Sequence, residues 1–239
     1  MDEPPSPGAS VTVTAPVITI DGPSGSGKGT VARRVAAELG FHLLDSGALY
    51  RLVALAGARK RLDPDDQAGH ARVATDLDVV FGADASGEEA IRLDGEDVTR
   101  AIRTETAGAA ASRVAAMPPV RTALLQRQRA FVRHPGLVAD GRDMGTVVFP
   151  AAALKIYLTA SADERARRRH KQLKEKGLTV NLADLSQEIL ERDRRDSNRP
   201  VAPLRPAEDA RIVDSTGLTV EQVVEQVLAL ARSRLAASS

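Results

Sequence analysis

The chain's strongest constraint is Gly22-Pro23-Ser24-Gly25-Ser26-Gly27-Lys28-Gly29-Thr30. An apolar run precedes it, Pro16-Val17-Ile18-Thr19-Ile20, and an amphipathic one follows, Val31 to Leu39. The first seven residues fit G-x-x-x-x-G-K, and a strand before and a helix after are the context in which that pattern forms a P-loop. Glycines let the backbone fold into a nest of N–H groups around a polyphosphate. The helix N-terminus adds partial positive charge, and Lys28 can bridge the outer phosphates. One position departs from the usual pattern. Gly29 follows Lys28 where Ser or Thr is common, so the magnesium-binding hydroxyl moves one place on, to Thr30. A P-loop alone does not separate a switch GTPase, a motor ATPase and a small-molecule kinase.

The rest of the chain fits a sheet built around that loop. Strands are expected at Val17–Ile20, His42–Leu44, Leu137–Ala139, Leu154–Leu158 and Arg211–Val213. Helices are expected at about 28–39, 46–60, 104–116, 119–133, 162–176, 183–195 and 220–236, from apolar periodicity. Ser161 to Glu164 and Thr219 to Gln222 read as capping boxes. Alternating strands and helices predict a parallel sheet covered on both faces, an α/β fold. Residues 76–99 break the pattern. Leu77, Val79 and Phe81, then Ile91 and Leu93, alternate with period two, and Asp94-Gly95 is a hairpin signal. This predicts a small antiparallel insert, here bounded at about 63–103.

Charge and composition exclude several classes. With 33 basic and 32 acidic residues, the net charge of +1 gives no global pull toward nucleic acid or membrane. Phosphate-binding charge must therefore be local. There is no cysteine, so thiolate nucleophiles, disulfides and Cys-based metal sites are excluded. The four histidines show no metal-ligand spacing. No run reaches the roughly 18 apolar residues of a membrane span. Residues 1–14 lack the basic and apolar regions of a signal peptide and are expected to be a disordered extension. A cytoplasmic protein is expected.

Three further segments carry chemistry. Leu43 to Arg51, LLDSGALYR, follows the second strand. From spacing alone, Ser46 reads as an N-cap and Arg51 as a surface charge. Ala139 to Pro150, ADGRDMGTVVFP, puts Asp140 at a strand's carboxyl end, where open α/β sheets bind ligands and a Walker-B-like acid can hold magnesium. Glu191 to Arg199, ERDRRDSNR, places Arg192 and Asp196 four apart on one helix face, which by itself allows an intrahelical ion pair. The basic run at 165–169 contains Arg165, Arg167, Arg168 and Arg169. Spacing does not say which of them reaches a ligand.

These segments, in this order, resemble bacterial cytidylate kinases, among the nucleoside monophosphate kinases. GKGT is the form of the loop seen in nucleoside monophosphate kinases, and the resemblance runs from about Pro16 to Leu235. It implies a kinase domain over 15–239 with a helical lid at about 163–182 and an acceptor-side β insert. It implies transfer of the γ-phosphoryl group from ATP, with magnesium, to CMP and dCMP, by a monomer. It assigns Gly22 through Thr30 to ATP, and Thr30 and Asp140 to the metal. Arg51, Arg142, Arg192 and Arg199 would meet phosphate groups, and Ser46 would help place the nucleotide. Asp196 would meet the ribose. Ser112, Arg121 and Asp143 would read cytosine. Lys28, Arg142, Arg192 and the lid arginines 165, 168 and 169 would supply catalytic charge. Two alternatives remain at this point: a kinase of UMP or AMP on the same frame, and a non-catalytic P-loop regulator that binds ATP.

Overall fold

β1 (Val17–Asp21) lies at the centre of a five-stranded parallel sheet, flanked by β6 (Leu137–Gly141) and β7 (Leu154–Thr159). The structure is a computed structural model describing residues 15–84, 89–175, 177 and 180–237. The extension expected over residues 1–14 lies outside the described residues. β2 (His42–Asp45) pairs with the far side of β6, and β8 (Arg211–Asp214) with the far side of β7, for an order β2-β6-β1-β7-β8. β1 and β6 are buried along their whole length. That explains their near-continuous apolar sequence, as a strand covered on both faces requires. Ile18, Ile20 and Val138 join Val31, Val35, Val224 and Val227 in one core layer. Val17, Leu137 and Ala139 join Leu49, Leu52 and Leu124 in the other.

The helices are α1 (Lys28–Leu39), α2 (Ser46–Arg59), α3 (Gln67–Thr75), α4 (Glu105–Val114), α5 (Pro118–Arg129), α6 (Ala162–Glu175), α7 (Leu182–Ser197) and α8 (Val220–Ala236). Most match the sequence expectation within a few residues. α3 was not foreseen. It starts where the Asp66 side chain accepts from the Gly69 N–H, and it packs on α2 and α5. The expected box at the start of α8 forms in both directions. The one before α6 forms by half. The Ser161 hydroxyl accepts from the Glu164 N–H, but the Glu164 carboxylate turns to Arg167 and Arg168.

The insert is antiparallel as expected. β3 (Val79–Ala83), β4 (Glu89–Leu93) and β5 (Glu96–Asp97) pair in chain order. Asp94 and Gly95 take φ of 52° and 80° between β4 and β5, the left-handed pair a two-residue hairpin turn needs. No described helix is long and apolar enough to cross a membrane.

The strand ends differ from the sequence reading in a way that shapes the site. Each parallel strand runs one or two residues past its apolar stretch, to Asp21, Asp45, Gly141, Thr159 and Asp214. The residues there are mostly polar, yet the ladders continue, with Asp45 paired to Asp140 and Asp21 to Gly141. Three carboxylates therefore lie at the carboxyl edge of the sheet, the ligand-binding edge of open α/β folds, with Asp45 and Asp140 side by side on one face and Asp21 on the other.

Candidate active site

Two cavities open at that edge, of about 580 and 540 Å³. Each is within the size range of small-ligand sites. They share Lys28, Gly29, Thr30, Arg169 and Gln172.

The smaller cavity lies over the glycine loop. Gly22, Gly25 and Gly27 have φ of 155°, 78° and 88°, and Gly27 caps α1 without a side-chain bond, leaving the first N–H groups open to a ligand. Lys28 is buried, and its Nζ donates to the Pro23 carbonyl at 3.0 Å. Ser24 and Ser26 hold the loop from behind through their carbonyls. Ser24 accepts from Arg165 at 3.0 Å, and Ser26 from Arg168 and Ser215. The far wall is Ser215, Leu218, Thr219, Val220 and Val223 at the start of α8. Sequence reasoning missed this wall, whose only local signal is a capping motif with an apolar stripe.

The four arginines of the 165–169 run separate. Arg168 lines the smaller cavity, gripped by Glu164 at 2.9 Å, the Ser215 hydroxyl at 3.0 Å and the Ser215 carbonyl at 2.6 Å. Arg169 lines both cavities and pairs with Glu105 at the start of α4. Arg167 points to solvent beside Glu164. Arg165 lines neither cavity. It is buried, and its guanidinium is bound by the Ala160 and Ser24 carbonyls and by Asp193 at 2.6 Å. It ties α6 to the loop and to α7, a framework position and not the ligand-facing one expected.

The larger cavity collects the other expected residues: Ser46, Arg51, Ser112, Arg121, Asp140, Arg142, Asp143, Arg192, Asp196 and Arg199. Its lining holds ten basic side chains and four carboxylates, the local excess that the whole chain's charge conceals. A Cβ on Gly108 would lie 3.3 Å from Arg192 Nη1 and 3.6 Å from Arg51 Nη2, so two guanidiniums converge over α4. Arg51 donates to the Ile102 carbonyl at 2.6 Å and is not a free surface charge. Arg192 makes no ion pair with Asp196, and its buried Nε has no partner. Burial, with Arg142 and Arg51 nearby, lowers it to about 10 against the pull of Asp196. Asp196 pairs instead with Arg142 at 3.1 Å and Arg199 at 3.5 Å. Burial pushes its carboxyl up, but Arg142, Arg199 and Arg192 outweigh that and hold it below the usual carboxylate range. Such a set of fixed, partly unpaired cations suits a small dianion.

At the other end, Arg121 and Asp143 form a buried pair, with Arg121 also 5.6 Å from the Tyr50 ring centroid. The Ser112 hydroxyl donates to Asp196 at 3.4 Å. Ser46 is not the N-cap. Asp45 caps α2 by accepting from the Ala48 N–H, and the Ser46 hydroxyl donates to Gln128 at 3.2 Å. Arg103 and Tyr50 are among the lining residues not singled out from sequence. Arg103 bridges Asp45 at 2.7 Å and Glu89 at 2.9 Å, linking β4 to the sheet edge. Tyr50 lies beneath Arg121.

Where the cavities meet, Asp140 is buried, and its Oδ1 has no hydrogen-bond partner. Burial foremost, with Asp45 beside it, raises its carboxyl pKa, while Lys28 draws it down. The same burial, with Arg142, lowers the Lys28 ammonium. The departure at Gly29 has a steric reason. A Cβ there would lie 3.2 Å from Asp140 Oδ2, so a longer side chain would crowd the carboxylate. Thr30 is exposed on the lining of both cavities. Among the described residues, no group of three or more His, Cys, Asp or Glu is placed to hold a metal ion.

A family profile described as cytidylate kinase matches residues 18–233. A cytidylate kinase of Stutzerimonas stutzeri (strain A1501) is 63% identical, over 89% of this chain and 93% of that one. One of Vibrio parahaemolyticus serotype O3:K6 is 59% identical, over 92% and 97%. Among solved structures, a gluconokinase from Sinorhizobium meliloti 1021 matches with a TM-score of 0.48 at 16% identity, over 94% of this chain and 97% of that chain.

Proposed function

This chain belongs to the cytidylate kinase family, and we propose how its two cavities carry out the family's reaction. It is an ATP-dependent nucleoside monophosphate kinase, transferring the γ-phosphoryl group of ATP to CMP to give ADP and CDP. The supporting observation is the meeting of two nucleotide-sized cavities at Lys28. One holds a phosphate nest, and the other a cluster of buried arginines.

ATP lies over the glycine loop, its base against the wall at Leu218 and Val220. CMP lies in the larger cavity. Its phosphate is met by Arg51, Arg142 and Arg192, its ribose by Asp196, and its base by Ser112, Arg121 and Asp143. dCMP fits the same positions without the 2′-hydroxyl. The acceptor phosphate is already ionised near neutral pH, so no general base is needed. The protein's task is to hold attacking and leaving oxygens in line and to neutralise charge spreading over the transferred group. Lys28, Arg142, Arg192 and Arg169 stand around the junction to do so, while Arg168 braces the nest. Arg165 acts through the loop it positions. Asp140, with its free buried oxygen, and Thr30 would hold magnesium, which supplies further neutralising charge on the donor phosphates. All these residues come from one chain, so the proposed site needs no second copy to complete it.

The test is ADP release measured with CMP, dCMP, UMP and AMP as acceptors. Turnover led by CMP and dCMP is expected. Equal turnover of all four, or ATP hydrolysis indifferent to acceptor, would overturn the assignment. Base choice is tested on Asp143. Its carboxylate accepts from the cytosine 4-amino group, where uracil presents a carbonyl. Asp143→Asn offers a donor instead and keeps an oxygen for Arg121. The ratio of kcat/KM for CMP over UMP is expected to fall at least tenfold, about 1.4 kcal/mol, as suits a lost charge-assisted hydrogen bond. A change of less than threefold would remove Asp143 from base recognition.

A further inference from the structure

Asp21 ends β1, one residue before the glycine loop, and is 5% exposed. It lines neither cavity. Its Oδ1 accepts from the Met144 N–H and its Oδ2 from the Gly145 N–H, both at 2.8 Å. These two amides open the π-helical turn Met144–Val148, which directly follows Asp143. A helix-type turn leaves its first N–H groups without partners of its own. An aspartate at the capping position ordinarily folds its carboxylate back onto them. Asp143 occupies that position but makes no side-chain capping bond. Its carboxylate instead accepts directly from Arg121, both residues lining the acceptor cavity.

We propose that Asp21 is a positioning residue for acceptor-base selection: it caps the 144–148 turn from the neighbouring strand and so leaves the Asp143 carboxylate free to face Arg121 and the base. This rests on the reading of Asp143 given above. The chemistry requires a carboxylate at 21. Two N–H donors need two acceptor oxygens, and an amide of the same shape has only one. Its NH2 would meet one of the two donors head-on. The price is a second acid buried near Asp143, in a strand end that a neutral residue would fill more cheaply. The same side chain couples the donor and acceptor halves of the site. β1 leads into the phosphate nest, and the turn carries the base reader.

Asp21→Asn is expected to raise the KM for CMP about tenfold and to lower the CMP-over-UMP ratio of kcat/KM at least fivefold. The KM for ATP should stay within twofold. In an Asp143→Asn background the same change at 21 should move the ratio by less than twofold, because the two residues act in series. A wild-type ratio in Asp21→Asn overturns the proposal. So does an equal loss in both backgrounds, or a rise in the KM for ATP matching that for CMP, which would place the effect in the nest. Hydrogen exchange tests the cap without any substrate. Exchange at the Met144 and Gly145 amides should quicken at least tenfold in Asp21→Asn, with β6 amides unchanged. If it does not, the cap is refuted. If it does while Asp143→Asn keeps its preference for CMP, the base reading of Asp143 fails, and with it the selection role of Asp21. Asp21→Ser, with one small acceptor, serves for both readouts should the asparagine variant not fold.

Discussion

Lys28→Ala is expected to yield a folded protein whose kcat has dropped at least 100-fold, about 2.7 kcal/mol of lost transition-state stabilisation. Lys28 and Arg169 both line the two cavities, and Lys28 is the one that belongs to the nest. In the free protein its ammonium is buried against the Pro23 carbonyl, and burial with Arg142 and Arg192 disfavours its charge. It therefore contributes little to stability. The Tm of the variant should equal or exceed that of the parent, the pattern of a site strained for function. ADP release at saturating ATP and CMP, with a thermal melt, checks both halves. Turnover within fivefold of the parent in a folded variant would remove the P-loop lysine from the mechanism.

Arg192→Met should cut kcat/KM for CMP at least 100-fold while the KM for ATP stays within threefold. Arg192 is buried, its Nε is unpartnered, and it converges with Arg51 over Gly108. Burial foremost, then Arg142 and Arg51, lowers its pKa against the pull of Asp196, so the empty site holds like charges together. A phosphate dianion relieves that repulsion and accepts charge-assisted hydrogen bonds, roughly twice as strong as neutral ones. Methionine keeps the apolar stem and removes the charge. The Tm should rise, because the free protein loses repulsion and a buried donor left unsatisfied. A marked fall in Tm would show that Arg192 holds the fold together. A kcat/KM for CMP within fivefold of the parent would place the acceptor phosphate elsewhere.

Several of these residues were legible before any fold was known, and others were not. The loop at 22–30 announces itself because its glycines, its lysine and its flanking strand and helix are contiguous. Arg121 and Ser112 sit on helices with no local mark, and only the resemblance to a family singled them out. The structure brings both into one cavity with Asp143 and Asp196. The arginines at 165, 168 and 169 look alike in sequence. One is consumed by Asp193 and two carbonyls, one is braced on Ser215, and one spans both cavities. Sequence alone could not sort them, since an arginine's role is set by the oxygen it meets.

What the sequence determined by itself is the class of fold, the phosphate nest, the antiparallel insert and the box at the start of α8. Each rests on interactions within a few residues, such as a cap bond, a left-handed turn or an apolar period. Tertiary structure alone decided that Asp21 caps a turn 123 residues on, that the Asp140 carboxylate leaves room for glycine and little more at position 29, and that Asp196 pairs with Arg142 and not Arg192. These choices depend on which strand ends lie side by side in the order β2-β6-β1. Only the folded sheet brings those carboxylates, amides and guanidiniums within hydrogen-bond reach.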